Sequence, residues 1–188
     1  MGYLLKKDRN RKYTWQEYLT WPDEERWEVI DGVAYDMSPS PTTRHQLLVT
    51  NFSRILGNKL AGGTCRTFVA PLDVYYDEYN FVQPDILVVC DEKKIKDKIY
   101  GPPDLIVEVL SPSTSLKDRR EKWSLYERFK VKEYILIHLE EMFVERYCIK
   151  DDKYREAEVF GPQEKITLCF TEGIEISLWE IFEVEPPN

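Results

Sequence analysis

Apolar positions along this chain recur with two different periods, and the switches between them mark out its elements. From about Thr43 to Leu60, the residues Leu47, Leu48, Phe52, Ile55, Leu56 and Leu60 keep helical spacing, and Gly62-Gly63 ends the run. Ile86–Val89 and Leu105–Leu110 are instead continuous β-branched or leucine runs. Such runs belong to strands covered on both faces, as in a sheet with helices above and below. Glu133 to Ile137 reads as a third buried strand. Phe143 to Ile149, Tyr154 to Phe160 and Ile166 to Leu168 alternate, which predicts an antiparallel meander.

Short signals fill in the rest. Thr14-Trp15-Gln16-Glu17 fits a capping box and opens a helix to about Thr20. Trp27–Ile30 and Val33–Tyr35 flank Asp31-Gly32, which suits a type I′ hairpin turn. Arg66 to Tyr76 reads as a strand pair or one bent strand, with Pro71 at an edge or bulge. Ser113 and Ser115 offer caps for a helix reaching about Phe129, and Ser177 caps a last helix over Leu178–Phe182. Residues 1–13 form a polar, basic leader, and 14–188 are expected to form one α/β domain.

Composition narrows the class. No apolar stretch is long enough to span a bilayer, and the first residues lack a signal-peptide apolar region. A cytoplasmic protein with no membrane partner is expected. The four cysteines, 65, 90, 148 and 169, are widely spaced without a Cys-x-x-Cys pair, so reduced thiols are expected rather than a zinc cage or disulfide framework. A net charge of −8 argues against indiscriminate nucleic-acid binding. Lys117, Arg119, Arg120, Lys122, Arg128, Lys130 and Lys132 are nonetheless concentrated in one stretch. They form either solvated helix faces or a phosphate-contacting surface.

The candidate chemistry lies between Gln83 and Tyr126. Asp85 opens one apolar strand and Glu108 sits in the middle of another. A carboxylate in such a place requires a cation or a proton. Lys122, Leu125 and Phe129 share one helical stripe, so packing of the two apolar residues turns Lys122 inward as well, with Asp118 on the same side. Asp85, Glu108 and Lys122 can therefore meet at one end of the sheet. Two carboxylates without a histidine or cysteine cage suit Mg²⁺ or Mn²⁺, which polarises a phosphodiester and activates water. No glycine-rich phosphate loop is present.

Pro84-Asp85, Glu108 and Lys122 together resemble the PD-(D/E)xK nuclease superfamily. More narrowly, the chain resembles a bacterial, cyanobacteria-rich family of restriction-endonuclease-like proteins. The likeness covers roughly Thr14 to Phe182. It rests on Trp27-Glu28-Val29-Ile30-Asp31-Gly32, Met37-Ser38-Pro39, His45, Gln83-Pro84-Asp85, the run Pro103 to Thr114, Asp118-x-x-x-Lys122-x-x-x-Tyr126 and Glu133-Tyr134. The resemblance implies a restriction-endonuclease-like mixed β-sheet flanked by helices, Asp85 and Glu108 as metal ligands, and divalent-metal cleavage of DNA. The superfamily usually carries its lysine two residues after the second acid, where this chain has Leu110; Lys122 matches a lysine moved to the helix.

Each residue also has a structural alternative. Asp85 can cap a strand-entry turn, and Glu108 can pair with Lys122 without metal. Tyr126 can be core packing, Asp118 a helix-terminus charge, and His45 N-terminal packing of its helix. Glu28 is a candidate to complete the acidic pocket, and His138 is read as structural. The expected function is a Mg²⁺-dependent endonuclease acting on DNA; the alternative is a DNA-binding or assembly module that keeps the fold without cutting. A homodimer is expected, since a twofold pair supplies one site per DNA strand, with Phe143, Tyr147, Tyr154 and Phe160 as interface aromatics.

Overall fold

A computed structural model describes residues 8, 10–22, 24–37, 40–110 and 118–187. Ser38-Pro39, Ser113 and Ser115 with their expected caps, and most of the basic leader lie outside the described residues.

The chain opens with the short helix α1 (Trp15–Tyr18). Its capping box forms as expected: Thr14 Oγ1 accepts from the Glu17 N–H at 3.2 Å, and Glu17 Oε2 accepts from the Thr14 N–H at 3.0 Å. β1 (Trp27–Ile30) and β2 (Val33–Asp36) form the expected hairpin. Both turn residues have positive φ, 51° at Asp31 and 80° at Gly32, as a type I′ turn requires. Gly32 is needed for space too, because a Cβ there would lie 2.8 Å from Lys12 Cβ.

The remaining elements build two sheets and a small ribbon. The first sheet has the order β2-β1-β5-β4-β7, with β4 (Val74–Asp77), β5 (Asn80–Val82) and β7 (Ile99–Tyr100). The second is built on β3 (Arg66–Val69), β6 (Ile86–Val89), β8 (Leu105–Leu110), β9 (Glu133–His138), β10 (Phe143–Lys150) and β11 (Lys153–Tyr154), in the order β11-β10-β9-β8-β6-β3. β12 (Glu158–Phe160) pairs with β10. Arg66 to Tyr76 is therefore two strands in two different sheets, divided at Pro71. The expected meander holds through β12. β13 (Lys165–Thr167) leaves it to pair with β14 (Glu175–Ser177).

β8 and β9 are parallel, and the segment between them crosses over through a wide π-type turn, Asp118–Lys122, into α3 (Trp123–Arg128). The long helix α2 (Thr43–Lys59) covers one face of the second sheet, packing Leu48, Phe52 and Leu56 on Val107, Val109, Ile135 and Ile137. The final helix α4 (Leu178–Phe182) lies in the same cluster. Leu125 and Tyr126 of α3 cover the other face, against Ile106, Leu110 and Leu136, and this cluster reaches Val74 and Val82 of the first sheet. Every residue of β6 and β8 is buried, as their unbroken apolar runs predict. The architecture is a mixed α/β fold with helix-flanked sheets.

Two expectations are corrected. All four cysteines are paired, Cys65 with Cys90 and Cys148 with Cys169. Sequence spacing hides this because tertiary pairing brings the cysteines together: Arg66 faces Val89, which sets Cys65 and Cys90 one step further along the same ladder, while Cys169, after β13, meets Cys148 of β10. The meander aromatics do not form an exposed patch either. Tyr154 is buried, while Phe143, Tyr147 and Phe160 are half-buried. Their rings pack inward: Tyr147 and Tyr154 contact Trp123, and Phe143 stacks on His138. Among the described residues, no helix is long and apolar enough to cross a membrane.

Candidate active site

β6 and β8 run antiparallel with Ile86 opposite Val107. One step further in that register, Asp85 comes opposite Glu108. The two acids are tied to each other's strands. Asp85 Oδ2 accepts from the Val109 N–H at 2.8 Å, and the Asp85 N–H faces Glu108 Oε2 at 3.4 Å. Asp85 thus extends the ladder with its side chain where the backbone pairing stops. His45 reaches the same Oδ2 through Nε2 at 3.1 Å. It is placed there by the first turn of α2, where Thr42 caps the helix by accepting from the His45 N–H at 3.2 Å.

The second oxygen of Glu108 faces the helix side. Oε1 accepts from Lys122 Nζ at 2.7 Å and from the Tyr126 hydroxyl at 3.0 Å. Lys122 and Tyr126 are one helical turn apart, so both project onto Glu108. Lys122 Nζ also lies 2.8 Å from Glu28 Oε1 and 3.5 Å from Asp118 Oδ1. Glu28 arrives from β1 of the other sheet and accepts from the Gln83 N–H at 3.0 Å. The Lys122, Glu28 and Asp118 side chains are at most 3% exposed, whereas Asp85 is 21% exposed and forms the open edge of the cluster.

The inward turn of Lys122, the shared side of Asp118 and the nearness of Asp85 to Glu108 all appear as the sequence pattern predicts. His45 and Glu28 join the cluster, His45 through Asp85 and Glu28 through Lys122. Tyr126 is both core packing and a donor to Glu108. His138 lies apart, stacked on Phe143 and contacted by Arg119. A supporting layer carries no signal in periodicity: Gln83 Nε2 donates to Asp73 Oδ1 at 2.9 Å, and Arg26 donates to Gln83 Oε1 at 2.8 Å. Only the position of Gln83 beside Pro84-Asp85 points to it.

Charge balance defines what the cluster can do. Three buried carboxylates, Glu28, Glu108 and Asp118, surround one buried ammonium. Burial pushes Glu108 above the usual carboxylate range, opposed by Lys122 and reinforced by Asp118, Asp85 and Glu28. Burial works against a charge on Lys122 as well, but the surrounding carboxylates hold its pKa well above the ordinary lysine value. Tyr126 is likewise pushed well up by burial, next to Glu108, and stays a donor. Every hydrogen bond to Glu108 comes from a donor, which is the pattern of an ionised carboxylate, while its burial favours a proton. Asp85 and Glu108 together offer carboxylate oxygens, a donor set that would suit a hard divalent cation, and such a charge would offset that conflict. His45 is opposed by burial, yet its hydrogen bond to Asp85 and the charge there raise its pKa above the ordinary histidine value.

Sheet order, flanking helices and acids on adjacent central strands define a restriction-endonuclease-like protein. The chain belongs to the family described as "Uma2: Putative restriction endonuclease", whose model matches residues 15–179. It is 32% identical over 142 residues to the uncharacterized protein slr1290 of Synechocystis, covering 73% of this chain and 74% of that protein. It is 28% identical over 162 residues to sll1609 of the same organism, covering 82% and 91%. The fold matches the crystal structure of a protein from Anabaena variabilis described as "a putative nuclease belonging to DUF820". The TM-score is 0.76 at 22% identity, covering 90% of this chain and 97% of that one.

Proposed function

We propose that this protein is a Mg²⁺- or Mn²⁺-dependent endonuclease that hydrolyses DNA phosphodiester bonds. The observation that carries the reading is the locked pair of acids, Asp85 and Glu108, beside the buried Lys122 ammonium. Asp85 and Glu108 would hold the metal, which when bound supplies Lewis acidity and an activated water. The chain's own residues prepare the rest. Lys122 and Tyr126 fix one Glu108 oxygen, and the Lys122 charge opposes the burial that favours a proton there. His45 orients Asp85. The Lys122 charge adds positive potential where negative charge develops on the phosphate. DNA would approach from the Asp85 side, the open edge. Residues 14–188 act as one domain, and a homodimer would give one site per strand.

A second reading is favoured by two observations. Lys122 is engaged by three carboxylates, as a structural cation would be. Of the basic stretch, Arg119, Arg128, Lys130 and Lys132 pair with Glu145, Asp31, Asp152 and Asp104, which leaves less positive charge for phosphate. In that reading the protein is a non-cutting DNA-binding or assembly module. Incubation with plasmid and single-stranded DNA, with Mg²⁺ or Mn²⁺ against EDTA, separates the two: metal-dependent cleavage supports the nuclease, and binding without cleavage supports the module. Light scattering tests the dimer, since a 22.4 kDa monomer at high concentration would contradict it.

A further inference from the structure

A second group of potential ligands lies at the other end of β9, outside the nuclease cluster. Glu133 opens β9 and is fully buried. Cys148 on β10 is its direct cross-strand partner. Cys169 follows β13 and is exposed. One carboxylate oxygen of Glu133 and the two sulfurs all lie within 4.8 Å of one another. Among the described residues, this is the group of three such donors that close.

Glu133 has one structural duty that is plain. Its Oε2 accepts from the backbone N–H groups of Cys169 at 2.8 Å and Phe170 at 3.1 Å, and so anchors that turn. The duty leaves Oε1 over. It is buried and has no hydrogen-bond partner among the described residues. A buried carboxylate oxygen without a partner costs free energy unless something else meets it. Burial accordingly pushes Glu133 up to about 7, despite the two N–H donors and the nearby Arg146.

We propose that the reduced form of this cluster, with Cys148 and Cys169 as thiolates and Glu133 as carboxylate, binds a borderline divalent cation such as Zn²⁺. Two sulfurs and one oxygen are a donor set for Zn²⁺ and not for Mg²⁺. Once reduction breaks the bond between them, the two sulfurs are free to separate, and Zn–S bonds of about 2.3 Å with a Zn–O bond of about 2.0–2.2 Å then suit these three donors. Water fills the fourth position, and the exposed side of Cys169 provides access. Two thiolates and one carboxylate carry three negative charges, of which a dication offsets two, with the Arg146 guanidinium nearby but paired to Glu158. In the structure the two sulfurs are bonded to each other. A dithiol reductant delivers two electrons and two protons to that bond and is itself oxidised to its disulfide. The cation then displaces the two thiol protons. The site is independent of the nuclease reading.

The test uses Co²⁺ as a visible stand-in for Zn²⁺. Full-length protein, reduced and freed of reductant under anaerobic conditions, is titrated with Co²⁺ and followed for thiolate-to-cobalt charge-transfer absorption, then competed with Zn²⁺ and with Mg²⁺. One saturable site is expected, with absorption abolished by Zn²⁺ and untouched by Mg²⁺. Oxidised protein should give none. Cys148→Ser should remove the absorption, and Cys65→Ser with Cys90→Ser should retain it. Glu133→Gln, which keeps both thiols, should weaken binding by more than about tenfold, since even outer partners of metal ligands contribute that much. Absence of thiolate absorption in the reduced wild type would overturn the proposal. So would absorption that survives Cys148→Ser, or affinity unchanged by Glu133→Gln. Circular dichroism of each variant identifies any that fails to fold, and for those the Glu133→Gln result decides.

Discussion

Replacing Lys122 by methionine nearly keeps the side-chain length and removes the charge that β1, β8 and the Asp118–Lys122 turn share. Its ammonium lies 2.7 Å from Glu108 and 2.8 Å from Glu28, with side chains only 3%, 5% and 0% exposed. Breaking a buried pair by removing one partner costs about 3–5 kcal/mol. For a chain of this size that corresponds to a melting temperature lower by roughly 6–20 °C. The loss must also depend on pH. Glu108 already sits above the usual carboxylate range, and without Lys122 it rises further. A carboxyl raised in the folded state contributes its stability at low pH and loses it as the pH climbs through the folded value. The deficit of the mutant should therefore be small at acidic pH. It should then grow by up to about 1.4 kcal/mol per pH unit per displaced proton. Denaturant unfolding of both proteins in EDTA across acidic to mildly alkaline pH measures it. Mg²⁺ should restore part of the loss, because a dication at Asp85 and Glu108 offsets the same negative charge. In the nuclease reading, Lys122→Met also lowers cleavage by roughly 10²–10³-fold, the scale for one transition-state charge donor. A mutant within about 1 kcal/mol of wild type at every pH would refute the claim that Lys122 compensates these acids.

Smaller perturbations test single contacts. Tyr126→Phe removes one donor from buried Glu108 and should cost about 1–3 kcal/mol by unfolding. His45→Gln should flatten part of the pH dependence: the raised His45 pKa stabilises the fold below its ordinary value and loses that contribution as pH rises through the higher one, so the mutant melts lower mainly under mildly acidic conditions. Glu133→Gln should remove a different slope. With Glu133 raised from 4.5 to about 7, wild-type stability falls as pH rises across that interval, and the variant should lack the fall in a melting series.

Much of the site is legible in the chain because the chemistry conflicts with its surroundings. An acid inside Leu105–Leu110 and a lysine on the stripe of Leu125 each violate the local apolar pattern, and the violations locate Glu108 and Lys122. Asp85 follows from its place before Ile86–Val89. The contact of Glu28 with Lys122 is beyond periodicity, because β1 belongs to the other sheet and only tertiary packing brings it there. The wide turn over Asp118–Lys122 was likewise hidden, since helical spacing reads the same through it. The cysteine pairs escaped for a related reason: Cys65 and Cys90 meet through strand register, which composition and spacing do not encode. The buried and half-buried meander aromatics show the limit of reading alternation as exposure, because α3 sends Trp123 over Tyr147 and Tyr154.

The central claim is that Asp85 and Glu108 form the metal site of a nuclease. Asp85→Asn tests it most directly, because it keeps the shape of the most exposed member of the cluster and removes the charge that would hold the cation. Supercoiled plasmid is incubated with wild type and Asp85→Asn in Mg²⁺, Mn²⁺ and EDTA, with melting curves recorded alongside. The account predicts nicking or linearisation by the wild type only with metal, and none by an Asp85→Asn protein that remains folded. A folded wild type that leaves plasmid and single-stranded DNA intact in both metals, or an Asp85→Asn protein that cuts as well as wild type, would contradict it.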